Sequence, residues 1–217
     1  RDGFEDHDGI PDPDNDGDGF LDEVDACPMR AEDLDGIMDD DGCPEDDADE
    51  DRVPDHMDRC PLVPGTLNPS SPECAGCPEL ACLRNDGSIE IRDRVEFEFG
   101  TDRILESSAP VLLAVRDVIH STPSVRVVRI EGHTDSVGRD SVNMRLSRER
   151  AASVRRWLID NGVDSGRLAA FGCGEAVARR SNSTEAGRQE NRRVEFHVTD
   201  PAPAGGARDS DVCEAVE

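Results

Sequence analysis

The sequence predicts an α/β domain, a βαβαβ-β sandwich with helices packed on a mixed sheet, preceded by an irregular acidic repeat segment. Three observations carry this expectation. Residues 1–80 hold 27 Asp and Glu against 4 Arg, so most of the formal net charge of −26 lies in the first third of the 217 residues. Asp residues in that stretch recur at fixed spacings. From about residue 88 onward, alternating and helical apolar periodicities replace them, with enough Val, Leu and Ile for a core.

The acidic stretch has few large apolar residues and cannot offset its chain entropy by burial alone. Its charge argues against nucleic acid and anionic membrane surfaces as partners, because both attract basic patches. Six of the eight cysteines fall between Cys27 and Cys82. An even number of cysteines in a hydrophilic segment reads as disulfides formed in an oxidising compartment. Pairings cannot be deduced from spacing; neighbours such as Cys27 and Cys43 are candidate partners. No signal peptide or membrane-spanning run is visible. The chain begins with Arg1 inside a repeat, Asp2-Gly3-Phe4-Glu5-Asp6, which reads as a fragment with upstream sequence missing.

Two windows match position for position. Asp14, Asp16, Asp18, Asp22 and Asp25 stand at positions 1, 3, 5, 9 and 12 of a loop, with Gly19 at position 6 and Cys27-Pro28 after it. Asp47, Asp49, Asp51, Asp55 and Asp58 repeat the spacing before Cys60-Pro61, with Arg52 in place of the glycine. Partial copies surround Asp6, Asp8, Asp12 and Asp33, Asp35, Asp39. Alternate carboxylates at positions 1, 3 and 5 can converge on one point. The backbone carbonyls of Phe20 and Val53 and the later acids then complete an oxygen shell that suits Ca²⁺. The competing reading is a solvated acidic linker. Regular spacing and phased cysteines favour the metal, since crowding like charges costs on the order of 1 kcal/mol per adjacent pair even in water. The spacing is that of an EF-hand loop, but Pro, Gly and Cys-Pro follow where flanking helices belong. The segment therefore resembles thrombospondin type 3 repeats, and the resemblance implies an irregular, calcium-binding array. Cys74-Ala75-Gly76-Cys77 with Cys82 could also suggest zinc, but a fourth ligand at typical spacing is missing and disulfide is the better reading.

Downstream, Val95, Phe97 and Phe99 alternate with Arg94, Glu96 and Glu98, which predicts a strand with one buried face. Val111, Leu112, Val115, Val118 and Ile119 predict a helix. Val125 to Ile130 reads as a central strand and Gly132 to Gly138 as a loop. A longer helix from about Asp140 to Asn161 is closed by Gly162. Strands follow at Leu168–Gly172 and Val194–Val198, around a possible short helix.

In the longer helix Leu146, Arg150, Val154 and Leu158 lie four apart, with Asn143 on the same side. Arg150 thus interrupts an apolar stripe, and a guanidinium withdrawn from water needs an anion or several acceptors. Asp135, in the loop Gly132-His133-Thr134-Asp135-Ser136-Val137-Gly138 after the central strand, stands at the sheet's carboxyl edge, where ligands commonly sit. One anion and one cation at short range complement a zwitterion, its ammonium on Asp135 and its carboxylate on Arg150. On spacing alone, direct pairing of Asp135 with Arg150 remains open beside that reading.

These residues carry a family resemblance. Ile130-Glu131-Gly132-His133-Thr134-Asp135, Gly138, Asn143, Leu146-Ser147, Arg150-Ala151, Gly172-Cys173-Gly174-Glu175, Gly187-Arg188 and Asn191-Arg192-Arg193-Val194-Glu195 resemble the OmpA-like peptidoglycan-binding domain over about residues 88–199. The resemblance implies that Asp135 and Arg150 clasp diaminopimelate of the peptidoglycan stem peptide and that Asn143 helps line the pocket. Thr101, with Gly100 and Asp102, would complete its wall less tightly, and Arg193 would stand near it. It also implies a periplasmic location at the outer membrane, with an upstream outer-membrane β-barrel in the full-length chain. The expected organisation is acidic repeats over 1–83, the OmpA-like domain over 84–200 and a tail over 201–217. Cys173 departs from the family pattern, and pairing with Cys213 would tie the tail back onto the domain.

Two other classes of function were weighed. His133 and Asp135 with Ser136 or Ser141, or Cys173 with His197, could be imagined as catalytic groups. Residues two apart on a tight loop rarely meet in base–orienter geometry, however, and no Gly-x-Ser-x-Gly elbow occurs. The alternative to a wall binder is a calcium-dependent structural spacer or adhesion module.

Overall fold

The computed structural model describes residues 13–34, 36–65, 74–202 and 212–216. Its centre is a six-stranded mixed sheet. The strands are β1 (Ala81–Leu83), β2 (Ser88–Ile91), β3 (Val127–Gly132), β4 (Leu168–Gly172), β5 (Val194–Asp200) and β6 (Glu214–Ala215), in the order β1-β2-β5-β3-β4-β6. Only β3 and β4 run parallel; the other neighbours are antiparallel. Three helices join them: α1 (Ala109–Ser121), α2 (Asp140–Asp160) and α3 (Glu185–Asn191). The expected α/β sandwich with a mixed sheet is the observed architecture.

Strand alternation sets the two faces. Val128 and Ile130 of β3, with Val194, Phe196 and Val198 of β5, join the core that also takes in Val111, Leu112, Val115, Val118 and Ile119 of α1. Helix α2 presses close to the sheet at Gly132 and Gly172, which are partners across β3 and β4. A Cβ on Gly132 would collide with the Ser147 carbonyl oxygen, and one on Gly172 with Arg148. Ser147 Oγ uses this proximity: it donates to the Met144 carbonyl and accepts from Gly174 N at 2.9 Å. Gly162, at φ 102°, ends α2 in the left-handed conformation expected of a C-terminal glycine.

Two expectations are corrected. The alternating segment at 94–99 is not a sheet strand; Phe97 forms one isolated bridge with Ile104. Val95 is buried there and Phe99 fully exposed, so alternation marked an inward face without supplying a pairing partner. The sheet's edge hairpin lies upstream instead, turning through Arg84–Gly87. The hairpin spans the boundary expected after residue 83, with its first strand on the repeat side, and Cys60, Cys74, Cys77 and Cys82 pack into the domain's core cluster.

The second correction concerns α2. Its buried residues are Asn143, Ser147, Ala151, Val154 and Leu158, not Leu146 and Arg150, which are half-buried along the flank. Each step of four advances about 400°, so a strict four-spaced stripe drifts about 40° per step away from the core. Arg150 therefore borders the core rather than interrupting it.

All eight cysteines pair: Cys27–Cys43, Cys60–Cys77, Cys74–Cys82 and Cys173–Cys213. The disulfide reading of the Cys74-to-Cys82 cluster holds, and the tail is tied to the domain where β6 pairs with β4.

Candidate functional sites

A cleft of about 700 Å³ opens beside the carboxyl end of β3, between the loop after it, the flank of α2, the 94–100 segment and α3. Asp135, Asn143 and Arg150 all line it. Arg150 donates from Nε to the Thr101 carbonyl at 3.0 Å, and its guanidinium carbon lies 4.9 Å from the Phe97 ring centroid. Among the described residues no hydrogen bond or ion pair from its two terminal nitrogens to a protein acceptor is found. Burial, and then the nearby Arg192 charge, lower its pKa, opposed by Asp102 and Asp135.

Asp135 is buried. One carboxylate oxygen accepts from Val137 N at 2.8 Å, which closes the loop; the other accepts from Arg192 at 2.6 Å. Arg192 also donates to Glu185 at 2.7 Å. The direct Asp135–Arg150 pairing left open by the sequence does not occur. Asn143 acts as a brace: its amide donates to the Asp135 carbonyl at 3.1 Å and to Glu175 at 2.7 Å. Thr101 contributes through its backbone, while its side chain donates to the Glu98 carbonyl.

Arg193 is a correction. It lines a different cleft, donating to Glu195 at 2.6 Å and to the carbonyls of Asn191 and Val177. Val194 faces the core, so the preceding residue must point to the opposite face of the sheet. Its neighbour Arg192, at the C-cap of α3, takes the place by the cleft. Sequence reasoning missed Arg192 and Phe97, although the inward register of Val194, Phe196 and Val198 would have excluded Arg193. The imagined catalytic pairs also come apart. His133 packs between Glu131 and Glu195 on the far face of the sheet, and Cys173 is disulfide-bonded.

In the acidic segment the two loops share most of their hydrogen bonds. Asp14 accepts from the amides of Gly17 and Gly19, and Asp47 from those of Asp51 and Arg52. Asp18 and Asp51 accept from Phe20 N and Val53 N, and their second oxygens from Glu32 N and Gly65 N, 14 residues on in each case. Asp22 and Asp55 accept from Asn15 N and Ala48 N, and Asp25 and Asp58 from Cys27 N and Cys60 N. Gly19 and Arg52 share a positive φ, 100° and 77°, so Arg52 carries strain that glycine avoids. Gly42 and Gly76, each just before a disulfide cysteine, leave room for Asp25 and Asp58; a Cβ on either would strike that carboxylate.

The carboxylates of Asp14, Asp16 and Asp18 lie within 4.8 Å of one another, as do those of Asp47, Asp49 and Asp51. Asp16, Asp25, Asp49 and Asp58 each keep one buried oxygen without a hydrogen-bond partner. Burial, followed by the charges of Asp51, Asp49 and Asp55, pushes the Asp58 carboxyl up to about 7. Buried, unsatisfied, mutually repelling oxygens suit a hard divalent cation. Asp33 and Asp39 join no such group among the described residues. Asp6, Asp8, Asp12 and Asp35 lie outside the described residues.

The helix-covered mixed sheet thus carries a charged cleft at its carboxyl edge. Residues 96–192, the segment that contributes most of that cleft, match the OmpA family. Outer membrane porin F of Pseudomonas aeruginosa is 38% identical over 124 residues, 57% of this chain and 34% of that protein. Peptidoglycan-binding protein ArfA of Mycobacterium tuberculosis is 32% identical over 138 residues, 63% of this chain and 40% of that protein. The crystal structure of the peptidoglycan-associated lipoprotein from Burkholderia pseudomallei aligns at 28% identity and a TM-score of 0.44, over 48% of this chain and 89% of that one. The chain spans 34% and 40% of the lengths of the two curated relatives. These relatives are named for the outer membrane or for peptidoglycan, which agrees with the cell-envelope location expected from the sequence.

Proposed function

We propose that the domain binds peptidoglycan non-covalently and without cleaving it, by holding the free end of diaminopimelate in the stem peptide. The observation that carries this reading is the Arg150 guanidinium. It is half-buried, held by the Thr101 carbonyl and against Phe97, has no carboxylate partner among the described residues, and lines a cleft shared with Asp135. A ligand carboxylate there gains a bidentate pair, and a ligand ammonium finds the remaining lone pairs of Asp135. Two charged hydrogen bonds of about 1.5–3 kcal/mol each suit a reversible anchor.

The acidic segment is the other half of the proposal. Ca²⁺ at Asp14, Asp16, Asp18 and Asp25, and at the matching set Asp47, Asp49, Asp51 and Asp58, would neutralise the clustered charge and stiffen a thrombospondin type 3-like linker. That linker would join the wall-binding domain to an outer-membrane β-barrel upstream. Sedimentation with purified sacculi in calcium tests the reading. The intact chain should co-sediment and release no soluble fragments on prolonged incubation, whereas Arg150→Ala and Asp135→Ala should stay in the supernatant. Failure of the intact chain to co-sediment would favour the spacer module, co-sedimentation of both variants would move wall binding away from this cleft, and released muropeptides would mean an enzyme.

A further inference from the structure

The far face of the sheet holds a second polar cluster that wall binding does not use. Register pairs Glu131 of β3 with Glu195 of β5, and Arg129 with His197; alternation then puts His133 on the same face. His133 is buried, and neither ring nitrogen has a hydrogen-bond partner. Its Nε2 stands 3.7 Å from Glu131 Oε2 and 3.8 Å from Glu195 Oε2. His197 Nε2 lies 3.9 Å and 3.0 Å from the same two oxygens. Glu131, Glu195 and His197 together present ligand atoms within 4.8 Å of one another.

We propose that Glu131, Glu195 and His197 bind a zinc ion, with the His133 ring packed against the same two carboxylates. Zinc–nitrogen and zinc–oxygen bonds of about 2.0–2.2 Å in a tetrahedron separate the ligand atoms by about 3.3–3.6 Å, and the His197 distances of 3.0 and 3.9 Å bracket that value. Both approaches of His133 to the carboxylates are too long for hydrogen bonds, so its ring is buried without compensation. The other carboxylate oxygens are already anchored from outside. Arg129 holds Glu131 Oε1 at 2.6 Å, and Arg193 and Arg179 hold Glu195 Oε1 at 2.6 and 3.0 Å. This is the outer support that orients metal-binding carboxylates.

The same three guanidiniums choose the metal. A hard cation held by charge alone gains little beside them, whereas zinc forms strong bonds to imidazole nitrogen. His197 would meet the ion through Nε2 and carry its proton on Nδ1. Glu195 and His197 line a cleft of about 440 Å³ beside β2, which gives the ion a way in. Asp135 follows Glu131 by four residues, so the ion would also steady the strand end from which the wall-binding loop leaves.

Zinc uptake by the full chain tests this, with excess calcium present to occupy the acidic loops. One zinc per chain should survive desalting, and cobalt in its place should give the visible spectrum of a tetrahedral site. His197→Gln and Glu195→Gln should each weaken zinc binding by more than the roughly 10–100-fold that loss of an outer support costs, and should abolish the cobalt spectrum. Near-ultraviolet circular dichroism confirms that each variant is folded; if one is not, the other decides. Equal zinc retention by wild type and the folded variant, or no retained zinc in the wild type, overturns the proposal.

Discussion

Asp135 is bound by Arg192, at 2.6 Å, while Arg150 lines the same cleft and is held by a backbone carbonyl instead of by that carboxylate. Of these two groups the anion is already balanced and the cation is held by a neutral acceptor. A zwitterionic ligand would complete the second without dismantling the first.

Arg150 is expected to dominate affinity and contribute little to folding. Arg150→Ala should weaken sacculus binding roughly 10- to 150-fold, the equivalent of one charged hydrogen-bonded pair, with little change in thermal midpoint. Arg150→Lys should recover only part of the loss, since an ammonium cannot make the bidentate contact. Sedimentation isotherms beside thermal melts check both statements.

Arg192 should show the opposite balance. Arg192→Ala leaves the buried Asp135 without its ion-pair partner, at a cost of about 1–3 kcal/mol in stability. Binding at neutral pH should persist, because Asp135 stays available to the ligand's ammonium. Chemical denaturation with a binding assay separates the two effects; lost binding in a stable variant would make Arg192 a ligand contact.

Calcium affinity should rise with pH up to about 7. The Asp58 carboxyl is raised to about 7 in the folded, calcium-free segment, above the ordinary value near 3.8–3.9. Folding alone thus takes up a proton between those limits. The associated stability is full below the lower value and lost as pH rises through the upper one. Calcium displaces that proton. Titrations at about pH 5.5 and about pH 7.5 should show tighter binding and less proton release at the higher value. Equal affinities at both would contradict calcium binding at Asp58.

The approach of α2 to the sheet sets where Arg150 points. Gly132→Ala drives a methyl group into the Ser147 carbonyl, so stability should fall by at least the roughly 1–3 kcal/mol typical of overpacking. Wall binding should weaken as well, since α2 must shift. Gly100→Ala meets no neighbour, although its φ of 72° still strains the new residue, and it serves as the milder comparison.

The parts of this protein written in consecutive residues could be read directly. The His-Thr-Asp loop, the paired Asp ladders, the closing glycine of α2 and the strand at 194–198 are local patterns whose chemistry depends on spacing alone. What escaped was decided by tertiary geometry. Arg192 and Arg193 are adjacent in sequence but face opposite ways once β5 fixes its register. The edge hairpin is only three and four residues per strand, too short for alternation to reveal, although Asn85-Asp86-Gly87 is a turn signal. The partner of Asp135 lies 57 residues away, beyond any periodicity. The proposed zinc ligands Glu131, Glu195 and His197 come from two strands whose pairing the sequence does not display.

Calorimetric titration of the full chain with free diaminopimelate, in calcium, measures the central claim directly. The account predicts saturable binding at one site per chain, absent in Arg150→Ala and in Asp135→Ala while both stay folded. No heat of binding in the wild type, or an unchanged isotherm in both variants, would contradict it.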